Sequence, residues 1–273
     1  VIIKSLNQAK NNGACFAALI PASESLFNYY EGTNFIPTFD YSKIKINKSQ
    51  QPTANSQQLV SGCQIISYRV EESQSLKDES EIDFYQVYEY FNTKMRARNC
   101  CVQHDEYDFG VILKDLELFD NHLLVAKYGE DICGLAFCYL RNDEIFIKDV
   151  FAESTAILTD FITTASQLFE SEAINIIVPP VSGQKTHKLG MARIIDAETM
   201  LRIYAMTHPK MKLELSIVDP ILTHNNGTYY INNGVLDKKN SIGANVVDIE
   251  QLTQALFGYN IENLPEKLQA FNK

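Results

Sequence analysis

An α+β fold, with mixed sheets and flanking helices, is what the sequence predicts, and three observations carry it. Two short, wholly apolar runs, Cys15–Ile20 and Ile174–Val178, each stopped by proline, read as buried strands. Leu123–Lys127, Ile132–Leu140 and Glu144–Phe151 follow one another through turn signals at Tyr128–Asp131 and Arg141–Asp143, the pattern of an antiparallel meander. Helical stripes flank that meander: Phe84, Tyr88, Phe91 and Met95 before it, Ile157, Phe161, Ala165 and Leu168 after it. At ~150 residues per domain, 273 residues suggest about two domains, or three small ones.

The remaining elements follow in chain order. Ile2, Ile3, Leu6 and Ala9 mark one helical face, and Gly13 is placed to end that helix in the left-handed region. Cys15–Ile20 has the composition of a central strand. Ser23 is placed to cap a short helix running to about Tyr30, and Phe35–Ile46 alternates as a strand. Residues 47–62, rich in Gln, Asn and Ser, read as a linker or long loop. A further helix begins near Asp105. The polar stretch Val181–Leu189 reads as a boundary, after which the pattern changes. Asp196 caps a helix whose face is Met200, Leu201, Tyr204 and Ala205. Strands are expected at Leu213–Asp219 and Thr228–Leu236, the second behind the turn signal Asn225-Asn226-Gly227. Asp248 and Gln251 form a capping box for a helix through Phe257 that Gly258 ends.

Composition narrows the function. Lys and Arg number 24 against 34 Asp and Glu, a net charge of −10, which repels nucleic-acid phosphates and anionic lipid and favours cationic partners such as amines. No apolar run approaches the ~18 residues of a membrane span, and no secretory leader is evident, so a soluble cytoplasmic protein is expected. The six cysteines have no framework spacing and read as reduced thiols. The five histidines are far apart with no i,i+4 pair, so no metal site is expected. There is no GxGxxG, Walker A, HExxH, GxSxG or CxxC motif. Cys100-Cys101 near His104 lacks an activating cation or helix start, and reads as ordinary thiols. The opening at Val1, without methionine and already in helical pattern, reads as that of a fragment.

What remains is Ala18 to Phe35, which resembles the second half of a GNAT acetyltransferase domain. There, helix, strand and helix are followed by a tyrosine five residues before the Phe of a Gly-Phe corner; Tyr30 and Phe35 have that spacing, with Asn34 in the glycine's place. Asn is the other residue that enters the left-handed region cheaply. Ile112–Leu116, Leu123–Ala126 and Ile132–Phe137 resemble the second, degenerate acetyltransferase domain of the enhanced-intracellular-survival type of GNAT protein. Gly190–Asp196, Leu201–Ala205, Asp219 and Asn225–Ile231 are similar to its C-terminal sterol-carrier-like domain, an α/β sandwich. The resemblance implies four parts: the C-terminal half of a catalytic GNAT domain at 1–46, a linker or strand connection at 47–75, a second, degenerate GNAT-like domain at 76–185, and a sterol-carrier-like domain at 190–273.

It further implies N-acetyl transfer from acetyl-CoA to a primary amine of a small, polycationic acceptor, without a metal. Tyr30 is then the general acid that meets the departing thiolate, since a thioester's acyl transfer passes through a tetrahedral intermediate. On spacing alone Tyr30 equally reads as an aromatic packed at its helix end. Ser23 is placed to meet the cofactor, or is a plain helix cap; both can hold together. The pyrophosphate cradle expected upstream of Val1 is not in the chain. Phe151-Ala152-Glu153-Ser154-Thr155 offers no substitute, having no glycine and an acid that repels phosphate. The terminal Lys273 is a poor match for the C-terminal carboxylate that some members use as base, so no base is assigned. No nucleic acid or membrane partner is implied; a homo-oligomer is. The alternative is a non-catalytic binding module or scaffold whose sterol-carrier-like domain takes an apolar ligand.

Overall fold

A computed structural model describes residues 1–46, 61–68, 83–98 and 101–272. Along the chain these form α1 (Ile2–Asn11), β1 (Phe16–Leu19), α2 (Ser25–Glu31), β2 (Ile36–Ile46), β3 (Gln64–Tyr68), α3 (Phe84–Arg96) and α4 (Glu106–Leu118). Then come β4 (His122–Tyr128), β5 (Asp131–Arg141), β6 (Glu144–Ala152), α5 (Thr155–Phe169), β7 (Ile174–Val178) and β8 (Thr186–Ile194). The last part holds α6 (Ala197–Thr207), β9 (Lys212–Val218), β10 (Gly227–Asn232), β11 (Val235–Lys239), β12 (Val246–Asp248), α7 (Ile249–Leu256) and α8 (Glu266–Gln269). Residues 47–60 of the linker read at 47–62, residues 69–82, Asn99, Cys100 and Lys273 lie outside the described residues. Two compact units result, residues 41–186 and residues 1–40 with 187–273.

In the unit 41–186 the strands run β2-β7-β6-β5-β4-β3. The meander β4-β5-β6 is antiparallel, as the turn signals predict. β6 and β7 are parallel (Ile145↔Ile174, Ile147↔Ile176), because α5 carries the chain back across the sheet between them. Both faces of this sheet are covered, which explains its unbroken apolar runs. Leu123, Val125, Leu135 and Phe137 face a core built by α3 and α4, with Phe91, Phe109 and Leu113 at its centre. Their neighbours Leu124, Ala126, Ala136 and Cys138 point the other way, into a core with Ile157, Phe161 and Ala165 of α5. Each large side chain so buried contributes about 1.5–3 kcal/mol of transfer free energy. Gly134 lets α5 approach closely: a Cβ there would stand 2.9 Å from Ile157 Cγ2 and 3.0 Å from the Phe161 ring. Ser154 Oγ caps α5 by accepting from Ile157 N–H. The thiols of Cys63 and Cys138 are buried, and burial together with its hydrogen bond to Cys63 pushes Cys133 up to about 12.

In the unit 1–40 with 187–273, β1 pairs antiparallel with β8 (Phe16↔Ile194 to Leu19↔Met191), and the first residues of β2 lie on the other side of β8. A second sheet runs β11-β10-β9-β12, with β12 parallel to β9. Leu201 and Ala205 of α6 and Leu252 and Ala255 of α7 share its core with Leu215, Ile217, Tyr229 and Ile231. Asp196 caps α6, and Asp248 with Gln251 caps α7 reciprocally, as predicted.

The division between the two units falls between Thr186 and His187, inside the stretch Val181–Leu189 read as a boundary, and Thr186–Leu189 begin β8. Three local expectations are corrected. β1 is not central: it ends its sheet's order, and Phe16 is 45% exposed. Thr228–Leu236 is not one strand but the hairpin β10–β11, turning at Asn233 (φ 51°) and Gly234 (φ 76°), the positive pair a tight hairpin turn requires. Ser23 does not cap α2; Glu24 occupies the cap position without a side-chain bond, and Ser23 Oγ lies 3.0 Å from Ser25 Oγ. Among the described residues no helix is long and apolar enough to cross a membrane.

Candidate active site

The site is the corner where α2 hands the chain to β2. The Tyr30 carbonyl accepts from Thr33 N–H at 2.9 Å, from Thr33 Oγ1 at 2.9 Å and from Phe35 N–H at 3.3 Å, which closes the end of the helix. Asn34 then reverses the chain at φ 60°, the left-handed conformation its place in the Tyr30–Phe35 spacing requires. Phe35 is buried with Leu6, Phe27, Met191 and Ile195, and the Tyr30 ring stands edge-on against it with centroids 5.9 Å apart. Tyr29 flanks the other side at 5.2 Å. The Tyr30 ring is thus half-buried and held on two sides. Its hydroxyl makes no hydrogen bond with the described residues.

A buried network fixes the corner from behind. Arg193 of β8, fully buried, donates from Nη1 to the Thr33 carbonyl at 2.9 Å and from Nη2 to both Asp219 oxygens at 2.9 and 3.0 Å. Asp219 also accepts from the Ile221 and Leu222 amides and from Asn225 Nδ2. Burial alone would raise its carboxyl, yet the Leu222 amide, the Asn225 side chain and the Arg193 charge hold it below the ordinary carboxylate value. The Asn34 amide donates to Glu250 in the first turn of α7, and Tyr259 donates to Asp40 Oδ1 at 3.1 Å. Ile194 N–H is received by Thr253 Oγ1 at 3.3 Å.

Sequence reading found Tyr30, Asn34 and Phe35. It noted Arg193 and Asp219 only as part of a resemblance, and it missed Glu250 and Thr253. No spacing rule joins Asn34 to Glu250, which lie 216 residues apart. A signal did exist for Arg193: an arginine inside Met191–Ile195, otherwise wholly apolar, must be buried and therefore paired.

Two helix starts test where a pyrophosphate fits. The first turn of α1 carries Lys4 and no acid, so no carboxylate there opposes an anion. At α5 the cap is already filled by Ser154, and Glu153 stands before it, held by Lys94 at 3.2 Å. The second start does not fit an anionic cofactor. Ser23, exposed ahead of α2, has its hydroxyl engaged only by Ser25 among the described residues.

Residues 197–268 match the sterol carrier protein domain. A conserved protein of unknown function from Enterococcus faecalis V583, described as a probable N-acyltransferase, superposes with a TM-score of 0.67 at 16% identity, over 100% of this chain and 72% of that one. A GCN5-related N-acetyltransferase from Anabaena variabilis gives 0.63 at 12% identity, over 98% and 69%. Eis1 from Mycobacterium abscessus gives 0.62 at 11% identity, over 98% and 72%. The chain therefore has the fold of these GNAT proteins, α+β with a C-terminal sterol-carrier-like part. No curated protein matches it in sequence.

Proposed function

We propose that the protein is an N-acyltransferase that moves acetyl from acetyl-CoA to a primary amine of a small, polycationic acceptor. The observation that carries this reading is the Tyr30 corner: an anchored ring with a free hydroxyl, closed by a left-handed Asn34 and backed by a buried ion pair. In this reading residues 1–46 supply the end of the catalytic domain, 47–75 connect it, 76–185 form a structural GNAT-like domain, and 190–273 the sterol-carrier-like one.

Acetyl-CoA, when bound, supplies the activated thioester. Tyr30 hydroxyl holds the proton that the departing sulfur needs, and its two flanking rings keep it from turning away. Ser23 sits beside the cofactor's path, and the α1 start, free of acid, accommodates its phosphates. The net charge of −10 favours arrival of cationic amines. The protein works in the cytoplasm as a homo-oligomer, without nucleic acid, membrane or metal as partner.

The test is thiol release from acetyl-CoA by the complete gene product, against polyamines, aminoglycosides and lysine-containing peptides. Release that requires a primary amine, with the acetylated amine found by mass spectrometry, is the expected result. No release with any amine, together with no measurable acetyl-CoA binding, would overturn the reading in favour of a binding module.

A further inference from the structure

In the unit 41–186 an open cavity of about 620 Å3 lies between α3 and the start of α4. Tyr88, Asn92 and Arg96, one turn apart on the same helix face, line one wall; His104, Asp105 and Asp108 line the other. Tyr88 Oη joins the walls by donating to the His104 carbonyl at 3.4 Å.

Four side chains of this lining have bonding capacity unused among the described residues. Asn92 is 6% exposed as a residue, lines the cavity, and makes no side-chain hydrogen bond with the described residues. Arg96, exposed, forms no ion pair with the described residues. Asp108 reaches only the His104 ring, at a long 3.9 Å, and Asp105 spends one oxygen on the Asp108 amide and keeps the other free. A guanidinium, two carboxylates and an amide thus face one cavity. A simple anion meets the two carboxylates, and a diamine meets Arg96. A molecule carrying both an ammonium and a carboxylate matches both signs, with Asn92 as its neutral hydrogen-bonding partner.

We infer that this cavity is a binding site for a small zwitterion of the amino-acid type, separate from the Tyr30 corner. This site does not depend on the acyl-transfer reading.

The experiment is calorimetric titration of the complete gene product with L-alanine, propionate and putrescine as probes, in the parent, Arg96→Gln and Asn92→Leu. The expected result is saturable binding of L-alanine, about tenfold tighter than either single-sign probe, weakened about tenfold or more in both variants. Asn92→Leu removes no hydrogen bond with the described residues and should melt no lower than the parent. Should it melt lower, Arg96→Gln, an exposed change, decides alone. No L-alanine binding up to about 20 mM, equal binding of propionate or putrescine, or unchanged affinity in Arg96→Gln would each overturn the assignment.

Discussion

Replacing Asp219 by Asn leaves the shape of the site but removes the charge that Arg193 was buried to meet. Both side chains are fully buried, and the carboxylate accepts from two Arg193 contacts, two backbone amides and Asn225. Asparagine has one acceptor oxygen and turns its NH2 group toward donors, so Arg193 loses its counter-charge in a medium of low dielectric. Breaking a buried pair from one side costs about 3–5 kcal/mol, against a total stability of about 5–15 kcal/mol. At ~2–4 °C per kcal/mol for a chain of this class, Asp219→Asn should melt roughly 6–20 °C lower at pH 7. The pH dependence follows from the same carboxylate. Its folded pKa lies below the unfolded value of about 3.9, so its stabilisation is present above that value and lost as pH falls through the folded one. The variant should therefore lose less stability than the parent between pH 5 and the acid limb. Urea unfolding followed by circular dichroism across that range measures both effects. A variant within about 1 kcal/mol of the parent at pH 7 would refute the role given to the Arg193–Asp219 pair.

Other consequences are measurable by the same unfolding assays. Asn34→Ala forces an ordinary side chain to φ 60° and removes the bond to Glu250, and should cost about 1–3 kcal/mol; Asn34→Gly keeps the turn and should cost less than Asn34→Ala. Gly134→Ala places a methyl against Ile157 and Phe161 and should cost about 1–3 kcal/mol, whereas an unchanged melting temperature would mean α5 packs less closely on β5. Burial, then the Asp40 charge, raise Tyr259 to about 12. Its stabilisation is present below the unfolded value of about 10 and declines as pH rises toward 12, so Tyr259→Phe should flatten the alkaline limb of the stability curve.

The sequence makes local structure legible where one element satisfies itself. The Asp248–Gln251 capping box, the Asp196 cap, the α5 stripe and the β4-β5-β6 meander all depend on residues within a turn or a hairpin of one another. Long-range pairing is not legible that way. The apolar run of β1 has the composition of a central strand, yet only its pairing with β8, some 170 residues later in the chain, shows it at the sheet's end. The boundary at Val181–Leu189 is legible from its polar composition, but that β8 already begins at Thr186 is not. The hairpin at Asn233-Gly234 was hidden by the equally good turn signal at Asn225–Gly227, which instead closes a short 3-10 turn ahead of β10. At the site, the Tyr30–Phe35 spacing is a local feature and visible; the groups that hold it, Arg193, Asp219 and Glu250, come from distant elements and need coordinates.

The acyl-transfer account is tested most directly by comparing Tyr30→Phe with the parent in the complete gene product, using the best amine found by thiol release. Loss of the hydroxyl removes a proton donor and leaves the ring's contacts with Tyr29 and Phe35 in place. The account predicts a kcat lower by about 10²–10⁴-fold, with acetyl-CoA affinity changed by less than about threefold. An unchanged kcat would contradict it and remove Tyr30 from the chemistry.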